Sequence, residues 1–315
     1  MKIVFFGTPE PAAKILASLP ARGVEIVGVV TQPDRPKGRG LKSAFSPVKE
    51  LALQHKWPLS QPERVKSNPD FQAWLMNLKP DLAIVVAYGQ ILPQTVLDIP
   101  RHGFINLHAS LLPKYRGAAP IQWALLKGEK VTGLTIFRLT AGLDTGPILA
   151  QQPVVIEDND NAATLSARLF TAGEELLVKT LPAIADGRAP GEPQDEAAAT
   201  YAPTLTKESG EIDWKKSARE IHDRIRGLYP WPAAHTFFHG QRLKLLVSEL
   251  AGLDLSTAAH LPGTIVSLLK GEGFIVATGE GNILIKQLQL AAGKALKASD
   301  FSHGHDVKTG ETLPN

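Results

Sequence analysis

The stretch LAIVVAYG, residues 82–89, is almost entirely apolar and ends in a tyrosine and a glycine. Further mainly apolar runs are KIVFF (2–6), VEIVGVV (24–30), FINLH (104–108) and GLTIFRL (133–139). Helical patterns are found at 68–78, 119–127 and 164–187. Apolar strands that alternate with helices are typical of a largely parallel sheet covered on both faces. The first part of the chain is therefore predicted to be an α/β domain.

The pattern changes after residue 187. Residues 188–204, RAPGEPQDEAAATYAPT, contain several prolines and little periodicity, which is typical of an extended linker. Short strand-like runs with glycine-containing turns follow, namely HTFFHGQRLKLLVSEL, GTIVSLL, GFIVAT and ILIKQLQL. Short strands at close spacing predict a small antiparallel β-barrel of the OB-like type. We expect a Rossmann-like domain at 1–187, a linker at 188–204 and a C-terminal β-barrel domain at 205–315.

The composition limits the compartment and the chemistry. The 315-residue chain has no cysteine, which excludes disulfides and thiolate zinc sites and favours a reducing compartment such as the cytoplasm. The first residues, MKIVFFGTPE, contain too short an apolar run for a signal peptide, and no run approaches the roughly 20 apolar residues that span a bilayer. The net charge of +3 is mild, so only its distribution can indicate a nucleic-acid partner. We expect a cytoplasmic monomer without a membrane partner.

One strand end carries polar residues. Asn106 and His108 in FINLH are two residues apart, so both project from the same face of the strand, toward the edge where parallel sheets bind ligands. Asp144, in the loop TAGLDTGP (140–147) after the next strand, would reach the same edge. An amide, an imidazole and a carboxylate suit acyl transfer, because they can hold an oxyanion, move protons and orient the imidazole. Structural hydrogen bonds fit the same spacing, so the pattern alone leaves both interpretations open.

Specific motifs in the sequence indicate the function more closely than its periodicity does. NLHASLLPKYRGAAPIQ (106–122) and GLDTGPIL (142–149) closely resemble the folate-dependent formyltransferases. Further motifs resemble one branch of that family, which formylates methionyl-tRNA. These motifs are distributed over nearly the whole chain: FFGTPE, TQPDRPKGRG, SPVKELA, TLTKESGEIDW, YPWP and SDFSHGHDVKTGE. The resemblance implies transfer of a formyl group from 10-formyltetrahydrofolate to the α-amine of methionine on initiator tRNA.

The resemblance also implies roles for individual residues. Asn106 and His108 would stabilise the tetrahedral oxyanion, and Asp144 would sustain the protonation and orientation of His108. The predicted folate site, an apolar pocket with main-chain hydrogen bonds, comprises Val86, Ala87, Tyr88, Ile91, Ser110, Leu111, Leu112, Pro113, Leu139 and Gly142. For the side chain of Tyr88, ordinary packing is an equally good interpretation.

A basic segment, DRPKGRGLKSAFSPVK (residues 34–49), is the second functional candidate. It has five basic residues and no acid from 35 to 49, and such a run by itself is usually a solvated loop. The resemblance implies that it engages the tRNA acceptor arm, through Arg35, Lys37, Arg39 and Lys42. Residues 201–315 have 13 Lys plus Arg against 12 Asp plus Glu, which indicates no broad electrostatic tRNA surface in the second domain.

Other functions remain to be separated from this one. An amino-sugar N-formyltransferase or a formyl-folate hydrolase would use Asn106, His108 and Asp144 but has no need for the basic segment. A noncatalytic RNA-binding module would not require all three residues, and a nucleotide-dependent dehydrogenase is disfavoured because no Gly-x-Gly-x-x-Gly follows the first strand. His303, His305 and Asp306 imitate a metal site, but without a fuller ligand set we expect no metal.

Overall fold

The computed structural model of the chain describes residues 1–37, 42–251, 260–291 and 293–314, without the side chains of residues 36, 37, 42 and 43. These residues form two compact units. The first unit contains Met1–Pro120, Val131–Val155 and Ser166–Ala202, and the second contains Ile121–Lys130, Ile156–Leu165 and Pro203–Asn315. Most of the predicted linker thus belongs to the first unit, because the units are defined by contacts in space, which a change in composition does not report.

The strands of the first unit are β1 (Lys2–Gly7), β2 (Glu25–Val30), β3 (Arg35–Lys37), β4 (Lys42–Ala44), β5 (Leu59–Ser60), β6 (Leu82–Val86), β7 (Phe104–His108), β8 (Arg116–Gly117), β9 (Val131–Arg138), β10 (Ile148–Val155) and β11 (Tyr201–Ala202). The described residues include a seven-stranded sheet in the order β10-β9-β7-β6-β1-β2-β5. Its strands from β5 to β7 pair in parallel. By contrast, β9 runs antiparallel to β7, and β10 antiparallel to β9.

The helices are α1 (Glu10–Ser18), α2 (Pro47–Gln54), α3 (Pro69–Leu78), α4 (Gln94–Leu97), α5 (Pro120–Leu126), α6 (Ala162–Ala185), α7 (Ala218–Gly227) and α8 (Ala298–Gly304). Two of them begin with a capping side chain followed by proline. The side chain of Ser46 accepts a hydrogen bond from the amide of Lys49 at the start of α2, and Asn68 does the same for Phe71 at the start of α3. Helix α2 therefore begins inside the basic segment, which the sequence analysis treats as a single loop.

Strand β7 carries an apolar face that becomes polar toward its end. Phe104 is buried in a core cluster with Phe6 and Tyr88, and the rings of Phe104 and Phe6 lie 5.2 Å apart. By the alternation of side chains along a strand, Asn106 and His108 lie on the same face as Phe104, beyond the cluster. Burial of the apolar part therefore fixes the direction in which the polar pair projects.

The strands of the second unit are β12 (Ala234–Phe238), β13 (Gln241–Ala251), β14 (Ile265–Leu269), β15 (Gly273–Ala277), β16 (Asn282–Leu290) and β17 (Ala295–Lys297). They pair antiparallel in the order β12-β13-β16-β15-β14, with β17 on β16. A capping box of Ser217 and Glu220 starts α7, which buries Ile221 and Ile225. The predicted combination of a Rossmann-like α/β unit and a small antiparallel β unit is confirmed. Within the described ranges, no helix has the length and apolar character needed to cross a membrane.

Candidate active site

His108, the last residue of β7, is held between two oxygen atoms. It is 6% exposed, its Nε2 atom lies 2.9 Å from the carbonyl oxygen of Tyr115, and its Nδ1 atom lies 3.7 Å from Oδ2 of Asp144. A carbonyl oxygen only accepts, so Nε2 carries the hydrogen when it makes this bond. The distance to Asp144 is longer than a hydrogen bond, so the carboxylate acts on the ring through its charge.

Asp144 is buried in the loop that joins β9 to β10, residues 139–147, which we call the Asp144 loop. Its Oδ2 atom accepts a hydrogen bond of 2.8 Å from the amide of Gly117. Its φ of 53° lies in the left-handed region, which aspartate tolerates better than most residues. The carboxylate is therefore fixed by a backbone donor on one side and by an unusual backbone conformation of its own residue.

The path of the chain to Asp144 differs from the one expected from the sequence. In an entirely parallel sheet, β7 and the following strand would end at the same edge. Because β9 is antiparallel, His108 pairs with Thr135, and β9 ends at Arg138 opposite Ile105. The side chains of His108 and Asp144 nevertheless lie close together, because the Asp144 loop folds back toward the carboxyl end of β7.

Asn106 lies in the middle of the sheet and is half-buried. It pairs with Val85 of β6 and Phe137 of β9. In the described part of the chain, its side-chain amide makes no hydrogen bond to another protein group. The amide hydrogens are therefore available to a ligand on the face that Asn106 shares with His108.

The residues predicted to bind folate occupy three segments. They are Val86, Ala87, Tyr88 and Ile91 at and after the end of β6, Ser110, Leu111, Leu112 and Pro113 after β7, and Leu139 and Gly142 in the Asp144 loop. The first two segments leave the sheet at the same edge because β6 and β7 are parallel. Leu139 packs against the core cluster that contains Tyr88, so the third segment approaches the first.

The turn after β7 is held by side chains of β9 and β10. The hydroxyl of Thr135 accepts a hydrogen bond of 3.0 Å from the amide of Leu112 and donates one of 2.7 Å to the carbonyl of Ser110. The side chain of Gln151 donates to the carbonyl of Leu112 at 2.8 Å. Ser110 and Leu112 are also buried. The hydrogen bonds to their backbone groups give the turn a fixed shape.

The side chain of Tyr88 is part of the core. It is 2% exposed, and its ring meets that of Phe6 edge-on at 5.4 Å. Its hydroxyl is buried without a hydrogen-bond partner among the described residues, and this burial raises the pKa of Tyr88. Packing is therefore the role that the structure supports for this side chain, while the nearby Ile91 is 82% exposed.

The basic segment forms a short hairpin and the start of a helix. Strands β3 and β4 pair from Arg35 with Ala44 to Lys37 with Lys42, and Arg35 is exposed. Arg39 lies outside the described residues, as do the side chains of Lys37 and Lys42. Lys49 is not free for a phosphate in this arrangement, because its ammonium group binds the carboxylate of Asp34 and lies 4.0 Å from the centre of the Phe45 ring.

Comparison with known proteins identifies the relatives of this chain. A family model described as formyl transferase matches residues 1–181, and one described as formyl transferase, C-terminal domain, matches residues 204–306. The methionyl-tRNA formyltransferase of Clostridium perfringens is 48% identical over 314 residues, covering 99% of this chain and 100% of the relative. That of Thermodesulfovibrio yellowstonii is 48% identical over 308 residues, covering 98% and 97%. The chain belongs to the methionyl-tRNA formyltransferase family.

The fold of this family member also occurs in more distant enzymes. An N-formyltransferase from Helicobacter canadensis, solved with folinic acid and dTDP-3-aminofucose, has a TM-score of 0.66 at 20% identity, covering 90% of this chain and 98% of that one. At this identity the likeness concerns the fold alone. The resemblance to formyltransferases inferred from the sequence is therefore confirmed, and the methionyl-tRNA branch is the one supported by full-length relatives.

Sequence reasoning did not identify Gly117, whose amide binds the Asp144 carboxylate. Its φ is 122°, and a Cβ atom there would lie 2.8 Å from the carbonyl oxygen of Ala202. Gly117 lies within NLHASLLPKYRGAAPIQ (106–122), the stretch that resembles the formyltransferases, but the resemblance gave it no role. No group of three or more metal-ligating residues occurs in the described part of the chain.

Proposed function

We propose that this chain transfers the formyl group of 10-formyltetrahydrofolate to the α-amine of methionine esterified to initiator tRNA. The observation that carries this proposal is 48% identity along nearly the full length to proteins named methionyl-tRNA formyltransferase. The arrangement of His108 and Asp144 beside a backbone amide supports the chemistry. Acceptor tRNA, folate donor and a cytoplasmic, monomeric protein are parts of the same proposal.

In the proposed reaction, the methionine nitrogen attacks the formyl carbon to form a new C–N bond. The carbonyl oxygen becomes an oxyanion, which the amide of Asn106 and the imidazole of His108 stabilise. Collapse of this intermediate breaks the bond from the formyl carbon to the folate nitrogen. The amine loses a proton and the folate nitrogen gains one, through water next to His108.

The contacts of His108 support Nε2 as the ring nitrogen that serves the substrate. Asp144 lies on the Nδ1 side, whereas Nε2 donates to the carbonyl of Tyr115. The formyl oxygen would therefore replace the Tyr115 carbonyl as the acceptor for Nε2. Asp144 stays on the opposite side, where its negative charge stabilises the protonated imidazole as the oxyanion forms.

The folate would bind where the segments after β6 and β7 leave the sheet, next to the face of Asn106 and His108. Backbone groups of Val86 and Ala87 and the apolar side chain of Ile91 suit a flat heterocycle. The predicted pocket residues Ser110, Leu111, Leu112, Pro113, Leu139 and Gly142 complete this proposal. The basic segment would bind phosphates of the tRNA acceptor arm through Arg35, Lys37, Arg39 and Lys42.

One assay tests the proposal directly. Purified protein is incubated with 10-formyltetrahydrofolate and with either methionyl initiator tRNA or a dTDP-linked amino sugar, and formylated product is measured. We expect formylation of the tRNA and none of the sugar. Formylation of the sugar alone would replace this proposal with the amino-sugar function, and release of formate without an acceptor would indicate a hydrolase.

A further inference from the structure

Residues 192–202, which we call the strap, run along the first unit and contact both loops of the site. At one end, Glu192 and Ile148 exchange two backbone hydrogen bonds of 2.8 Å at the start of β10. At the other end, β11 pairs in parallel with β8, so that Tyr201 lies opposite Arg116. Sequence composition predicts this stretch as a linker, whereas these contacts join it to the segments that carry Asp144 and its amide donor.

Gln194 is the residue of the strap that touches the Asp144 loop. Its Nε2 atom donates two hydrogen bonds of 2.8 Å, one to the carbonyl oxygen of Asp144 and one to that of Gly146. Its Oε1 atom accepts from Nε of Arg116 at 3.1 Å and from Nη2 at 2.8 Å. Gln194 thus uses both ends of its side-chain amide: the nitrogen donates to the Asp144 loop, and the oxygen accepts from Arg116 of β8.

Arg116 holds the acceptor end in place. Its side chain is buried, and its Nη1 and Nη2 atoms donate to the two carboxylate oxygens of Glu196 at 2.8 Å each. The hydrogen bonds that Arg116 donates to Glu196 raise the pKa of the Arg116 guanidinium, against the effect of burial. Glu196 balances the charge of Arg116. Arg116 therefore acts as a fixed donor toward Gln194 and does not compete with the imidazole of His108 for the Asp144 carboxylate.

The Asp144 loop needs such an external donor because its own backbone is irregular. Asp144 is in the left-handed region, and its carbonyl oxygen accepts the hydrogen bond from Gln194. At Gly146 a Cβ atom would lie 1.7 Å from the carbonyl oxygen of Arg138, which shows how tightly the loop turns. A rotation of the Asp144 peptide would move the carboxylate relative to both Gly117 and His108.

We propose that Gln194 is a positioning residue for the formyl transfer: by bonding the carbonyls of Asp144 and Gly146 to Arg116, it fixes the carboxylate beside Nδ1 of His108. This inference rests on the proposed function, in which Asp144 stabilises the protonated imidazole. A displacement of a catalytic group by about 1 Å is enough to slow a reaction strongly, so the effect acts on turnover and not on substrate affinity.

Two substitutions separate the two halves of the Gln194 contact. Gln194→Glu keeps an acceptor for Arg116 but removes the donor to the Asp144 loop, and Gln194→Met removes both while retaining the length of the side chain. We expect each to lower kcat about tenfold, with the KM values for folate and tRNA changed less than about twofold. The matched control is Gln72→Met on α3, which loses an exposed hydrogen bond to Thr95 and should retain kcat.

The coupling to Asp144 distinguishes positioning from general stability. Combining Gln194→Met with Asp144→Asn should lower kcat no more than about twofold below Asp144→Asn alone, because both changes remove the same interaction. The imidazole resonances of His108 should also shift in Gln194→Glu. Folded Gln194 variants with wild-type kcat, or losses that multiply with Asp144→Asn, would overturn the inference. Normal turnover of Asp144→Asn by itself would instead refute the proposed catalytic role of Asp144.

Discussion

The first unit has two segments with proposed functions, and these segments are attached in opposite ways. The Asp144 loop is bonded along its length, with Gly117 on the carboxylate and Gln194 on two of its carbonyls. The basic segment, in its described part, is bonded at its base: Thr31 and Ser46 share a hydrogen bond of 2.8 Å between their hydroxyls, and the Asp34 carboxylate binds Lys49.

The difference agrees with the roles proposed for the two segments. Acyl transfer depends on donors placed within a fraction of an ångström of the reacting atoms, which requires a fixed loop. Attraction of phosphates by lysine and arginine extends over a Debye length of about 8 Å at physiological salt, so it tolerates variation in position. Substitutions in the Asp144 loop should therefore change turnover, whereas those in the basic segment should change tRNA affinity.

The largest effect is expected at the reacting centre. Asp144→Asn removes the charge beside Nδ1, and His108→Ala or Asn106→Ala removes an oxyanion donor, so each should lower kcat by about two to three orders of magnitude. Single-turnover kinetics with saturating tRNA and folate would measure this decrease in the rate of formyl transfer. Asp186→Asn, at an exposed position, serves as control. A folded variant that keeps near-normal kcat would remove that residue from the catalytic assignment.

The next effect concerns Arg39 of the basic segment. Arg39 lies between two glycines that permit unusual backbone conformations, which would let its guanidinium approach a phosphate. Arg39→Ala should raise the tRNA KM about tenfold and leave the folate KM unchanged. The control is Arg64→Ala, which removes an exposed arginine elsewhere in the same unit. Equal tRNA KM values for the two variants would show that the segment has no part in binding.

A smaller effect tests the base of the basic segment. Lys49 and Gln61 lower the pKa of the Asp34 carboxyl through hydrogen bonds, which favours the charged form of that carboxyl. Lys49→Met should raise the tRNA KM about two- to fivefold by loosening the hairpin. The slope of log KM against log salt should stay the same, whereas Lys37→Ala and Lys42→Ala should each reduce it by somewhat under one unit. A reduced slope for Lys49→Met would mean that Lys49 contacts a phosphate itself.

The smallest effect concerns the pH dependence of stability and involves His235, which lies outside both segments. It reports on the stability of the fold and not on either segment. Burial, and then the charge of Arg242, lower the pKa of His235 in the second unit, with Arg224 acting in the same sense and Glu211 opposing. Its Nδ1 atom lies 2.9 Å from Nη2 of Arg242, a contact that requires an unprotonated nitrogen.

The unfolded chain therefore binds a proton at a higher pH than the folded one. Stability should be greatest above the unfolded value, about 6.5, and decrease as the pH falls below it toward the depressed folded value. Denaturant titrations between pH 5 and 8 would measure the slope, and His235→Gln should flatten it. An unchanged slope in His235→Gln would assign the acid sensitivity to other groups.

The sequence predicts the site best where neighbours along the chain are also neighbours in space. Alternation along β7 places Asn106 and His108 on one face, and that arrangement is found. Its position in the loop after the next strand made Asp144 a candidate, and the resemblance of GLDTGPIL to formyltransferases strengthened it, but the sequence did not show that β9 runs antiparallel to β7. The folate and tRNA contacts stay predictions.

The sequence by itself determined that β1, β2, β6, β7 and β9 are strands, the mixed α/β and antiparallel β architecture, the family, and the face that carries Asn106 and His108. These follow from periodicity and from motifs confined to short stretches. Only the tertiary structure decided that β9 runs antiparallel, that Lys49 binds Asp34, and that Gln194 joins Arg116 to the Asp144 loop. Gln194 is 50 positions from Asp144 and 78 from Arg116. Hydrogen bonds between such distant residues depend on how the whole chain packs, so no local pattern in the sequence encodes them.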